Sequence, residues 1–256
     1  MKISQEYAEQ QFCKADKLSD EGKYKEALGV CLALARQGGD RLVALNIGVL
    51  YELVEGLEKA FSKSLYWYKR AWKLENGCRF PACGNIAVLY SQVGNRRRAM
   101  FWWKKAIELD DGCATVDCAK FMLGSRKCDL KKTMALLVKA TKSLHVCLAS
   151  VEEASFLLAM LFSQMGDRRR SQFWLDKAIA LDGGDAIVDC AKFMLRTKHG
   201  CDIKKMKTLL LKATESSNIS SIVFQEVTCF LESILADESK KVGGANEEAH
   251  YLKLSK

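Results

Sequence analysis

Three sets of side chains in this sequence have the types that could do chemistry. Eleven cysteines and three histidines (His145, His199, His250) are the candidates for metal binding or nucleophilic work. No Cys-x-x-Cys and no His-x-x-x-His occurs, and the pairs Cys78/Cys83 and Cys113/Cys118 match no common zinc spacing. Histidine stands near cysteine twice, in His145-Val146-Cys147 and His199-Gly200-Cys201, yet thiols packed as small hydrophobic groups account for such placements. No glycine-rich phosphate loop, Ser/His/Asp order or paired carboxylate set is present. The expectation is a chain with no enzymatic activity, no metal and no cofactor.

The second set is basic. Arg96, Arg97 and Arg98 follow Gly94-Asn95, and Arg168, Arg169 and Arg170 follow Gly166-Asp167. The formal net charge is +9, which favours an acidic protein surface, nucleic acid or anionic lipid as partner, or serves solubility alone. It argues against any role that mimics the negative charge of DNA. The third set is a repeated acid/base pair, Asp117 with Lys120 and Asp189 with Lys192. At i, i+3 on a helix such a pair is worth only ~0.2–0.5 kcal/mol if the two residues merely pair with each other.

The elements that must position these groups are helices. One proline in 256 residues, where ~5% is usual, argues for helix after helix joined by short turns. Apolar residues make up 49% of the chain, enough for a sizeable core, and charged residues 28%. Two segments recur at a single offset: Val116-Asp117-Cys118-Ala119-Lys120-Phe121-Met122-Leu123 returns 72 positions on at Val188–Leu195, as does the glycine–arginine segment. Stepping back by the same interval from Gly94 reaches Gly22. A period of this length means stacked supersecondary units.

Each block divides into two helical hairpins. Small residues mark one point of each first helix (Ala15, Gly48, Ala87, Ala119, Ala159, Ala191). Bulky residues lie between small ones on the second helices (Tyr68, Trp103, Leu137, Leu175, Leu210). That is a helical i, i+4, i+7 face, and it reads as core. Six hairpins are expected at roughly 2–37, 40–76, 79–110, 112–143, 148–182 and 184–216, with a capping helix at about 220–237. Asn95 and Asp167 should cap second helices, and Gly77, Gly112 and Gly183 should end them. Residues 1–237 thus form one repeat domain, and the polar stretch 238–256 is expected to be a mobile tail.

These residues resemble the tetratricopeptide repeat and its inserted variant, the SEL-like repeat. Hairpin three carries the spacing in full as Ala87, Tyr90, Gly94, Ala99, Trp103 and Ala106. Hairpin five repeats it as Ala159, Phe162, Gly166, Ser171, Leu175 and Ala178. The even hairpins insert residues, four between Gly48 and Ser64, which should lengthen the internal turn. The proline usual after the second helix is replaced by Asp/Asn-Gly.

The resemblance implies an all-α, right-handed α-solenoid of about six helix-turn-helix repeats, whose first helices line a concave groove that binds a protein or peptide. It places Asn46, Asn85, Val88, Gln92, Asp117, Lys120, Gln164, Asp189 and Lys192 at that groove. The role implied is adaptor, regulator or inhibitor of a partner, a bacterial immunity protein against a cognate toxin being one form. The basic edge (Arg96–Arg98, Arg168–Arg170) leaves nucleic-acid binding as the alternative, although no base-reading pair recurs once per repeat. Most aromatics are assigned to the core stripe and not to that edge. The N-terminus shows no signal-peptide pattern and no run of ~18 apolar residues follows, so a cytoplasmic protein without membrane insertion is expected.

Overall fold

The computed structural model describes residues 4–74 and 79–181, with single helical positions at 188, 190, 192, 193, 208, 211 and 225. Ten α-helices lie in this span: α1 (Gln5–Asp20), α2 (Tyr24–Leu34), α3 (Asp40–Glu55), α4 (Leu57–Lys73) and α5 (Arg79–Gln92), then α6 (Arg96–Glu108), α7 (Gly112–Leu123), α8 (Leu130–Ala140), α9 (Leu148–Gln164) and α10 (Arg168–Ala180). They pair as five hairpins, with no strand among the described residues. The expected sixth hairpin, capping helix and tail lie almost wholly outside the described residues, as does Asp189. Two compact units are present: Met1–Cys147, which holds α1 to α8, and Leu148–Lys256, which holds α9 and α10.

The 72-residue period has a backbone cause. Gly22, Gly94 and Gly166 each adopt a left-handed conformation (φ 74°, 73° and 76°) just past a first helix. In each case the next amide donates five residues back: Lys23 N to Leu18 O at 2.8 Å, Asn95 N to Tyr90 O at 2.9 Å, Asp167 N to Phe162 O at 2.9 Å. This closes the helix end in the manner that glycine permits most cheaply. Asn95 Oδ1 and Asp167 Oδ1 then accept from Arg98 N and Arg170 N, opening the second helix as expected. Replacing Asn95 with alanine should cost about 1 kcal/mol, read as a lower urea midpoint at unchanged slope.

Two expectations are corrected. Gly112 does not end α6; it is the first residue of α7, capped by Asp111, whose Oδ1 accepts from Ala114 N at 2.9 Å. It is glycine because a Cβ there would lie 2.5 Å from Val146 Cβ and 2.9 Å from Ser143 Cβ. The α6 end is turned instead by Asp110 at φ 60°. Nor does the insertion in hairpin two lengthen its turn: Gly56 alone, at φ 73°, joins α3 to α4, and the extra residues are helical. In hairpin four the turn between α7 and α8 does lengthen, with Asp129 capping α8.

The small-residue stripe is core. Ala15, Gly48, Ala87, Ala119 and Ala159 are buried, and Tyr68, Trp103, Leu137 and Leu175 with them. One cluster joins Tyr68, Ile86, Leu89, Trp103, Ala106 and Met122, so hairpins two, three and four share a continuous interior. Tyr68 donates to Glu52 Oε1 at 2.5 Å across hairpin two. Burial pushes the Glu52 carboxyl above its ordinary range, and the Tyr68 bond offsets only part of this. The folded state therefore holds that proton more tightly than the unfolded chain, and this contribution to stability falls as pH rises through the folded pKa. Glu52→Gln keeps an acceptor for Tyr68 without the charge. It should raise the melting temperature at neutral pH, and the gain should vanish below the ordinary carboxylate range.

Candidate functional site

The first helices α1, α3, α5 and α7 lie in one unit, and the groove candidates fall on three of them. Adjacent first helices touch. Asn46 Nδ2 on α3 donates to Asp16 Oδ1 on α1 at 3.3 Å, and a Cβ on Gly84 of α5 would meet Ala114 Cβ of α7 at 3.1 Å. Desolvation first, and the neighbouring Asp20 second, hold the Asp16 carboxyl above its ordinary range. Asn46 is thus half-buried and occupied in joining two helices. Asn85 and Asp117 are half-buried on α5 and α7, while Lys120 is exposed one turn after Asp117. Val88 is half-buried against the core, and Gln92 is exposed at the end of α5. The structure therefore brings Asn85, Asp117 and Lys120 onto neighbouring helices of one unit. Gln164, exposed at the end of α9, and half-buried Lys192 belong to the second unit.

The arginine triplets divide by role. Arg98 lies over the Tyr90 ring at 5.4 Å with Nη1 donating to Tyr90 Oη at 3.4 Å; Arg170 lies over Phe162 at 4.6 Å. Both thus stack on the aromatic eight residues back, on the preceding first helix. Arg170 Nε also donates to Asp167 Oδ2 at 2.5 Å. The Asp167 carboxyl is held below its ordinary range, chiefly by the Arg170 backbone amide and then by that side chain. Arg96 reaches forward over Phe121 of α7 at 4.9 Å. Cation–aromatic contact and capping explain three of the six arginines by packing. Arg97, Arg168 and Arg169 are exposed at the edge.

A second recurring feature escaped the sequence reading. Tyr66, Phe101 and Phe173 are 57%, 55% and 62% exposed at one equivalent point of α4, α6 and α10, two residues before the core position. Each meets the following tryptophan edge-on, at 5.5, 5.6 and 5.3 Å between centroids. A cation stands four residues on: Arg70 Nη1 donates to Tyr66 Oη at 3.2 Å, Lys105 lies over Phe101 at 5.2 Å, and Lys177 over Trp174 at 4.9 Å. A cleft of about 420 Å³ between α4 and α6 is lined by Tyr66, Lys69, Arg70, Trp72, Lys73 and Trp102. Not all aromatics are core, therefore. The repeated order aromatic–Trp–x–x–cation was the available signal, and it was hidden because its tryptophans adjoin the core stripe.

Among the described residues no group of three or more His, Cys, Asp or Glu is placed to hold a metal ion, and no helix is long and apolar enough to cross a membrane.

Residues 80–113 and 152–185 match the family model of the tetratricopeptide repeat. These are hairpins three and five, the two that carry the full spacing. No curated protein matches the chain. Among solved structures, a Sel1 repeat protein from Oxalobacter formigenes aligns over 80% of this chain and 84% of its own, at 18% identity and TM-score 0.57. TPR-like repeats from Podosopora anserina align at 15% identity, covering 68% and 93%, with TM-score 0.46. The C-terminal part of a TPR repeat-containing protein from Cytophaga hutchinsonii aligns at 14%, covering 84% and 98%, with TM-score 0.44. Two segments of the chain thus match the tetratricopeptide repeat, and its helical hairpins share the fold of a Sel1 repeat protein.

Proposed function

We propose that the chain is a non-catalytic scaffold that holds a partner protein or peptide against its first helices, with Asn85, Asp117 and Lys120 as contact residues. Repeats of this family generally mediate protein–protein interaction. The observation that carries the reading to these residues is their place on two neighbouring first helices. There the inward positions, Ala87 and Ala119, are consumed by the core while Asn85, Asp117 and Lys120 stay at or near the surface. The net charge of +9 supports an acidic partner. The role is that of an adaptor, regulator or inhibitor, and neutralising a cognate toxin is one form an inhibitor would take.

Capture from a lysate of the source cells, with and without nuclease, tests this. The Asn85→Ala/Asp117→Ala/Lys120→Ala variant should retain its melting curve and lose at least ten-fold in captured partner. Capture at the wild-type level would remove this surface from the reading. Nucleic-acid binding along the arginine edge is the second reading, favoured by exposed Phe101 and Phe173 standing five residues after Arg96 and Arg168. It requires capture to vanish with nuclease and affinity to fall steeply with salt.

A further inference from the structure

The segment after α8 returns to the start of α7 and runs beside it in a fixed register. Asp111 pairs with His145 as a parallel bridge, and Gly112 N donates to His145 O at 2.9 Å. Ser143 Oγ donates to Asp110 O at 2.6 Å, and Leu144 N donates to Asp110 Oδ2 at 3.2 Å. Gly112 lies so close to Val146 that a side chain there has no room. The same offset of 34 residues brings Cys113 opposite Cys147, with the two Sγ atoms 3.4 Å apart and Cys147 N donating to Cys113 Sγ at 3.3 Å. The Asp111–His145 bridge two residues before holds the two backbones side by side, and the sulfurs are already in contact. Closing the sulfurs to ~2.05 Å then needs side-chain rotation and little backbone movement. Neither cysteine is in a disulfide here; Cys147 is exposed and Cys113 half-buried. Other thiols differ: Cys31 and Cys118 are buried, and burial pushes both up to about 11, where the reactive thiolate is scarce.

We infer that Cys113 and Cys147 are an oxidation site, at which a peroxide joins them in a disulfide that ties both ends of hairpin four together. Hydrogen peroxide reaches exposed Cys147 first. The sulfur takes one oxygen, the O–O bond breaks, and one water leaves with a sulfenic acid on Cys147. The Cys113 sulfur attacks that sulfenic sulfur, the S–S bond forms, and the oxygen departs as a second water carrying the Cys113 proton. Two thiols and one peroxide thus give one disulfide and two waters. The ring encloses α7 and α8, so the linked form resists unfolding of this hairpin, and a thiol reductant reverses the step.

The test uses the full-length protein treated with stoichiometric hydrogen peroxide at neutral pH, followed by alkylation and peptide mapping. The expected product is a Cys113–Cys147 cross-linked peptide, about 2 Da lighter than its reduced components and absent after dithiothreitol. The melting temperature should rise by roughly 4–8 °C on oxidation. Cys113→Ser should leave Cys147 as a trappable sulfenic acid, and the rise should be lost. Alkylation of both residues at the rate of exposed Cys13 after peroxide, or a disulfide formed between other cysteines, overturns the inference. The mapping is done on the wild-type chain, so it does not depend on how the variant folds.

Discussion

Replacing Trp103 with alanine is expected to lower the stability of the first unit by about 3–5 kcal/mol, the largest loss at any single site here. Trp103 is 1% exposed and lies 4.7 Å, centroid to centroid, from Phe121 of the next hairpin. Its cluster draws on α4, α5, α6 and α7, so the cavity would open where three hairpins meet. In a stacked repeat, stability is a sum of unit and neighbour terms, and this substitution removes both. Hydrogen exchange should therefore speed up in α5, α6 and α7 well beyond α1 and α2. Trp103→Phe separates bulk from polarity. Trp103 Nε1 is buried with no hydrogen-bond partner among the described residues, a condition that itself costs ~1–3 kcal/mol. Phenylalanine sheds that donor and keeps a ring, so its net cost should be well under half that of alanine. Equal losses for the two variants, measured by urea denaturation with helicity as the signal, would mean that the indole is not packed as described.

What was legible beforehand follows from which physics is local. The hairpins could be read because Gly22, Gly94 and Gly166 must take a left-handed turn, and because Asn95 and Asp167 must cap, wherever the rest of the chain lies. The core stripe could be read because small and bulky residues alternate at helical spacing. Gly112 was misassigned because a glycine past a helix has two explanations, a left-handed turn or a close approach. Only the tertiary partner, here Val146, decides between them. The division of roles within the arginine triplets was hidden because charge is visible in sequence while the ring beneath it is not. Arg98 over Tyr90 and Arg170 over Phe162 emerge only when the preceding helix folds back. The Cys113–Cys147 approach was invisible for the same reason: 34 residues separate the two sulfurs, and no local rule connects them.

The second large effect is expected at Gly48, and it shows how one repeat differs from the next. A Cβ at this position would lie 2.3 Å from Tyr68 Cε1 and 2.5 Å from Cδ1, far inside contact distance. Tyr68 is 2% exposed and its hydroxyl is anchored on Glu52, so the ring has nowhere to swing. Gly48→Ala should thus cost about 1–3 kcal/mol by overpacking, despite alanine's better helix propensity. Hairpins four and five indicate the remedy, whereas hairpin three fits Trp103 beside Ala87. At the equivalent points Ala119 is used with Leu137, and Ala159 with Leu175, all four buried. Combining Gly48→Ala with Tyr68→Leu should recover much of the loss, whereas Tyr68→Phe, which keeps the ring, should recover almost none. The interaction energy of that cycle is the measurement. Full additivity of Gly48→Ala and Tyr68→Leu would show that the two positions do not pack against each other. The pairing of a vanishing side chain with a tyrosine would then need another cause.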